Sequence, residues 1–265
     1  MSTPPHLAYR QNNSYTQCGF IGPKEFLILR TAILVFFLLV LPVLGQPTTY
    51  PDGDQRAVVL KGTRNTRELG GLPAGGGTVK KGRLFRSGAL CFASRDDAAK
   101  LHALGIQTIL ELRLDQEIGK DGPDKSYLVE KIPNRLHWPM GNSHGLGKQA
   151  YQSYMTDNRK LFRDFFRLMS KPESYPVLYH CSAGKDRTGI LTALLLESLG
   201  TPREVITDDY IHSRRITPKL KVEEDWLQVV YDEIDAGGGI ESYLKKIGVT
   251  PKELKDVRNL LIQKS

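Results

Sequence analysis

The sequence is poor in cysteine and tryptophan, with three and two respectively. Three cysteines cannot staple 265 residues, so a disulfide scaffold is excluded. No internal repeat or low-complexity tract is present. No block of Lys and Arg forms a nucleic-acid arm, so no nucleic-acid partner is expected. Neither a GxGxxG nor a Walker pattern occurs, so no nucleotide site is read. His6, His102, His137, His144 and His212 lack metal-ligand spacing, so neither a metal nor a cofactor is expected. What remains is an ordinary globular composition, 40% apolar and 25% charged, with a net charge of +8. The mild positive excess suits an anionic substrate or surface.

The first 45 residues differ from the rest. Thr31 to Leu44 is a 14-residue run without charge, preceded by Arg10, Lys24 and Arg30. A basic segment, an apolar run and small or moderate residues before Gln46 read as an export signal. The run is short of the roughly 20 apolar residues that a spanning helix needs. Extending it back to Phe26 places Arg30 inside, and the alternative is a membrane anchor over residues 26–44. The protein is therefore expected to be exported, periplasmic or secreted, or membrane-anchored. Residues 1–45 are read as leader, 46–56 as linker and 57–265 as one catalytic domain.

Beyond the linker the pattern is that of an α/β domain. Ala57 to Leu60 reads as a strand, and the glycines between Gly70 and Gly77 as turns around a hairpin. Leu84 to Ser87 reads as a strand. Ser94 is placed to cap a helix that Gly105 ends, feeding a strand at Ile106–Leu112. Strands are expected at Arg135–Met140 and Tyr175–His180, with a helix over Tyr151–Met169 between them. Helices are expected at Thr188–Leu199, Glu204–Arg215 with Pro202 opening it, Val222–Ile234, Ile240–Ile247 and Pro251–Ile262. The fold class is a central, mostly parallel sheet flanked by helices, with a cysteine loop between strand and helix.

That loop reads His180-Cys181-Ser182-Ala183-Gly184-Lys185-Asp186-Arg187-Thr188-Gly189. A tight connection from a strand into a helix can turn successive backbone N–H groups inward as an anion nest. The following helix N-terminus adds its dipole and free N–H groups. Arg187 can grip two phosphate oxygens with its planar fork. A thiol at Cys181 is held below its free pKa of about 8.5 by the same surroundings, which makes it a nucleophile. Thr188 can donate its hydroxyl to the sulfur. His180 is expected to point away and order the loop rather than act as a base.

This segment resembles the phosphate-binding loop of the protein tyrosine phosphatase superfamily, H-C-x5-R-[S/T], and the AGKDRTG form resembles its bacterial tyrosine and dual-specificity group. Asn65-Thr66-Arg67-Glu68-Leu69-Gly70-Gly71 is similar to that group's N-x-R-[D/E]-L-G-G motif. Leu84-Phe85-Arg86-Ser87-Gly88 and the stretch from Leu104 to Arg113 match in order, so the likeness covers about residues 60–215. The resemblance implies a two-step, metal-free phosphatase in which Cys181 forms a phosphocysteine. Arg187 and the loop of Ser182, Ala183, Gly184, Lys185 and Thr188 would bind the phosphoryl group. The implied substrates are phosphotyrosine, with phosphoserine or phosphothreonine, on proteins; the alternative is a phosphoinositide or inositol phosphate. A rhodanese-type sulfurtransferase and a non-catalytic phosphate-binding module are the rivals. His180 and Arg187-Thr188 count against the first, and the presence of Cys181 against the second.

Many members of the family place an acid on a loop upstream of the cysteine. Here that region reads Trp138-Pro139-Met140-Gly141-Asn142, without an acid. Asp186 is the implied acid, followed by Glu111 and Asp115; its other reading is an ion pair with Lys185, Arg67 or Arg113. Lys185 either takes a second anionic group or raises the local potential. Arg67 and Arg113 read as salt-bridge braces, and Cys91 as a small buried residue. Asp208-Asp209-Tyr210 reads as a solvated helix face rather than a pocket border.

Overall fold

Local sequence chemistry accounts for most elements of the computed structural model, which describes residues 55–264 apart from 144, 146 and 218. Helix α1 (Arg95–Ala103) opens on a reciprocal capping box between Ser94 and Asp97, and Gly105 follows it at φ 68°. Asp97 is buried and also accepts from the backbone amides of Lys61 and Gly62. One side chain thus caps the helix and anchors the segment before it.

The described residues form two sheets. Strands β1 (Arg67–Glu68), β4 (Leu84–Ser87), β7 (Val177–His180), β5 (Thr108–Glu111) and β6 (Asn134–His137) lie in that order. β4, β7, β5 and β6 are parallel neighbours, and β1 is antiparallel to β4. Strands β2 (Pro73–Ala74), β3 (Gly77–Val79) and β8 (Ile262–Lys264) make a small antiparallel sheet. β2 and β3 are the expected hairpin. Gly77 is required there because a Cβ would fall 2.0 Å from the Gln263 carbonyl oxygen.

Alternation along the central strands sends successive side chains to opposite faces. Leu84, Leu110, Val177 and Tyr179 enter one core, and Phe85, Ile109 and Leu178 the other. The second core is closed by α1 and α3 (Ser126–Val129), through Ala98, Leu101 and Leu128. Short helix α2 (Asp115–Asp121) precedes α3 and buries none of its residues. The first core is closed by α4 (Lys148–Asp157), α5 (Arg159–Met169), α6 (Asp186–Ser198), α7 (Arg203–Ile216), α8 (Glu224–Ala236), α9 (Ile240–Lys246) and α10 (Pro251–Leu261). Helix α6 is buried on nearly every face, which explains its continuous apolar sequence. A mostly parallel sheet covered on both sides is the expected fold class.

Several boundaries depart from expectation. Ala57–Leu60 is not a strand; Ala57 makes an isolated bridge to Arg67, and the Val58 amide donates to the Thr66 carbonyl at 3.1 Å. The single helix expected over Tyr151–Met169 is two, broken at Asn158, whose side chain donates to the carbonyls of Tyr154 and Gly141 at 2.9 and 2.8 Å. A short polar side chain that bonds nearby carbonyls competes with the helix. Pro202 is the residue before α7, not its first. α6 starts at Asp186, two residues earlier than expected, which brings the end of the loop into its first turn. The leader over residues 1–45 and most of the 46–56 linker lie outside the described residues. No described helix is long and apolar enough to cross a membrane.

Asp209 of α7 is not on a solvated face. It is buried and receives Arg56, Arg67 and Arg86 at 2.7, 3.0 and 2.6 Å. Burial opposes its charge, but the three guanidiniums hold its carboxyl well below the usual range. Removing one partner of a buried ion cluster leaves the others uncompensated. Asp209→Asn should therefore lower the unfolding free energy by about 3–5 kcal/mol in denaturant titrations. Because the folded-state pKa is depressed, this stabilisation should be complete above the unfolded carboxyl pKa of about 4 and be lost progressively as pH falls from there through the depressed folded-state value. A loss under about 1 kcal/mol would assign Asp209 the value of a surface pair instead.

Candidate active site

β7 ends at His180 and α6 begins at Asp186, so Cys181–Lys185 crosses the C-terminal end of the sheet. Gly184 sits at φ 65°, and a Cβ there would lie 2.4 Å from the Ser87 carbonyl oxygen. Only glycine permits both that backbone and that approach.

The loop's carbonyls are tied outward. The Ser182 oxygen accepts from the Ala89 amide at 3.1 Å. The Ala183 and Gly184 oxygens accept from Asn65 Nδ2 at 3.1 and 2.9 Å, and Gly184 also from Arg86 Nη2 at 2.8 Å. In a trans peptide the next N–H points opposite to the carbonyl. The amides of Ala183, Gly184 and Lys185 therefore face away from these ties, as an anion nest requires. Asn65 is itself in the left-handed region at φ 59° and is gripped by Arg67. The N-x-R motif thus builds the underside of the loop.

Cys181 is buried. Burial pushes its thiol up, but Arg187 and hydrogen bonds from the Thr188 hydroxyl and amide outweigh it and leave the pKa below its ordinary value. Asp186 opposes them. The Thr188 hydroxyl is buried without an oxygen or nitrogen partner, which leaves it to the sulfur.

Arg187 is held by a residue that the sequence reading missed. Glu117 of α2 receives Nη2 at 2.7 Å and Nη1 at 2.5 Å, and also accepts from Ser182 Oγ. The Leu112 carbonyl accepts from Nη1 at 3.2 Å. Burial pushes the Glu117 carboxyl up, but Arg187, Ser182 and the Leu114 amide bring it down to about 2. In sequence it is only an acid in the first turn of a short helix.

The candidate acids separate clearly. Asp186 reaches Tyr151 at 2.7 Å and Lys185 at 3.3 Å; it pairs with neither Arg67 nor Arg113. Glu111 is taken by Arg113, and exposed Asp115 lies 3.8 Å from His137. Met140 is buried in the upstream segment that lacks an acid. Lys185 Nζ donates to the Lys221 carbonyl at 2.5 Å and lies 4.9 Å from the centre of the Trp226 ring. Lys221 flanks the same ring at 5.7 Å.

Behind the loop, buried His180 meets Asp124 at 2.9 Å, turned away from catalysis as expected. Glu111, Asp124 and His180 bring three ligand-type atoms within 4.8 Å of one another. Arg113 donates to both carboxylates and to Cys91 Sγ, so a guanidinium already balances this group. Cys91 and Cys181 are both free and buried.

The arrangement presents a lowered-pKa thiol, a nest of amides and a braced guanidinium to one small anion. Comparisons with known proteins give the chain a family. Residues 58–263 match the profile of the tyrosine phosphatase family. A triple specificity protein phosphatase, PtpB, of Mycobacterium tuberculosis is 32% identical over 199 residues, covering 61% of this chain and 71% of its own. A tyrosine-protein phosphatase of Nostoc commune is 26% identical over 211 residues, covering 64% and 70%. Among solved structures, the catalytic core of the PP-IP phosphatase SIW14 of S. cerevisiae is 19% identical, with a TM-score of 0.43, covering 74% of this chain and 98% of that one. The chain belongs to the tyrosine phosphatase family and is a phosphatase.

Proposed function

We propose that this phosphatase hydrolyses phosphotyrosine on proteins, and phosphoserine or phosphothreonine beside it, through a phosphocysteine on Cys181. The observation that carries the reading is the Cys181 thiol, buried at the loop floor yet held below its ordinary pKa by Arg187 and Thr188. In the first step the sulfur attacks phosphorus and the bond to the leaving oxygen breaks, with the proton for that oxygen coming from Asp186. In the second, water attacks phosphorus, the P–S bond breaks, and Asp186 takes the proton that water loses. Arg187 and the loop amides hold the three equatorial oxygens, where charge is densest in the transition state. Tyr154 near Arg187 and Trp226 against Lys185 border the loop with rings that suit an aryl phosphate. Lys185 and Lys221, both beside the Trp226 ring, favour a second reading, a phosphoinositide or inositol phosphate whose further phosphate they would meet.

Cys181→Ser should abolish hydrolysis of p-nitrophenyl phosphate, while the wild-type enzyme should remain active in EDTA. Equal activity of the two proteins would remove Cys181 as the nucleophile.

Iodoacetate alkylation of Cys181 should reach half its maximal rate at a pH below the free-thiol pKa of about 8.5. A midpoint at or above that value would remove the activated thiol.

Glu117→Ala should weaken competitive inhibition by inorganic phosphate by roughly tenfold to a hundredfold, the worth of a charge-assisted hydrogen-bond pair. An unchanged inhibition constant would mean that Arg187 needs no brace.

A further inference from the structure

The acid assigned above has a support that the reaction scheme does not use. Tyr151 lies on α4, buried against the first core, yet its hydroxyl meets Asp186 Oδ1 at 2.7 Å. The same hydroxyl lies 2.7 Å from the hydroxyl of Tyr210 on α7. A phenol has one proton to donate. Tyr151 gives its proton to Asp186, so Tyr210 must donate to Tyr151. The bonds run one way, from Tyr210 to Tyr151 to Asp186. Burial and the nearby carboxylate push the Tyr151 phenol well above its ordinary pKa, so it keeps that proton. Burial likewise raises the Tyr210 phenol.

Rings hold both phenols in place. Tyr151 packs edge-on against Tyr154 and Tyr210, at centroid separations of 6.3 and 6.4 Å, and against Trp226 at 6.0 Å. The Tyr210 ring also sits on Gly189 of α6, where a Cβ would come within 3.0 Å. A hydroxyl from α7 thus supports one from α4, which meets a carboxyl oxygen of α6. Lys185 Nζ, 3.3 Å from the same oxygen, is itself held by the Lys221 carbonyl and the Trp226 face.

With Oδ1 occupied as an acceptor, a proton on the Asp186 carboxyl belongs on Oδ2. We propose that Tyr151, oriented by Tyr210, is a positioning residue that fixes the Asp186 carboxyl so that Oδ2 delivers its proton to the leaving oxygen as the P–O bond breaks. This rests on the reading of Asp186 as the acid. A bare carboxyl at the start of a helix samples several rotamers, whereas proton transfer needs one orientation.

The test is leaving-group dependence, because an acid matters only when the departing oxygen is basic. kcat/KM reports the step that breaks the P–O bond. It would be measured for phenyl phosphate and for 2,4-dinitrophenyl phosphate with wild type, Asp186→Asn, Tyr151→Phe, Tyr210→Phe and the Asp186→Asn/Tyr151→Phe double variant. Asp186→Asn should lose on the order of a hundredfold or more on phenyl phosphate, the usual worth of a general acid. It should lose little on the dinitrophenyl ester. Tyr151→Phe keeps the ring packing and should show the same selective loss, at about tenfold, a smaller share of the same catalytic effect. Tyr210→Phe should show a weaker selective loss. The double variant should match Asp186→Asn alone, since a positioning residue has no effect without the group it positions.

Equal losses on both esters for Tyr151→Phe would make its role structural and overturn the inference. So would an additive double variant. If Tyr151→Phe fails to fold, Tyr210→Phe decides by the same pattern: a selective loss supports the inference and a uniform or absent one overturns it. If Asp186→Asn itself shows no leaving-group dependence, the acid assignment falls and this inference falls with it. A selective loss in Asp186→Asn with none in either tyrosine variant overturns the inference alone.

Discussion

The anion nest depends on where its carbonyl oxygens go. Five residues between His180 and Asp186 could close in many ways, and most would leave oxygens facing the ligand. Asn65, Arg86 and the Ala89 amide draw the oxygens of Ser182, Ala183 and Gly184 outward, and peptide planarity sends the following amides the other way. Asn65 and Arg86 can do this only because they are fixed themselves. Arg67 grips Asn65, and Asp209 holds Arg67 and Arg86 together. A single buried carboxylate on α7 therefore sets the shape of a loop between β7 and α6.

Charge alternates through the centre of the molecule. Asp124 faces His180 behind the loop, and Glu117 faces Arg187 beside it. Asp209 meets three guanidiniums beneath the loop, an excess of positive charge where an anion is to be bound. Burial lowers the Arg67 pKa to about 10, against the pull of Asp209, so that residue stays charged at neutral pH. Cys181 is the thiol placed beside Arg187, and its depressed pKa follows from that guanidinium together with the Thr188 hydrogen bonds, against burial. The positive potential is local and built by burial. The mild excess of the whole chain contributes little once screened over about 10 Å.

Much was legible because it depends on neighbours in sequence. Ser94 with Asp97 and Gly105 delimit α1. The apolar run of Thr188–Leu199 marks a buried helix, and the β-branched run after Ile106 a buried strand. The loop from His180 to Gly189 carries its chemistry in one contiguous stretch. Asn158 misled because its neighbours are helical on both sides, and the carbonyl of Gly141 that it meets is distant in sequence. Asp209 misled because two acids and a tyrosine on a helix look solvated until three arginines from the sheet side converge on one of them.

The sequence by itself determined the cysteine loop, its glycine, its arginine and the order of strands and helices around it. Those features are short-range: backbone conformation, caps and periodicity act over a few residues. Only the tertiary structure decided what holds that loop. Glu117 lies 70 residues from Arg187, Asp209 lies 142 from Arg67, and Tyr151 lies 35 from Asp186. Such pairs have no spacing signal, because a partner brought by a packed helix can come from anywhere in the chain. What selects it is the energetic penalty of leaving a buried charge or hydroxyl unmet, and that penalty exists only once the core has closed.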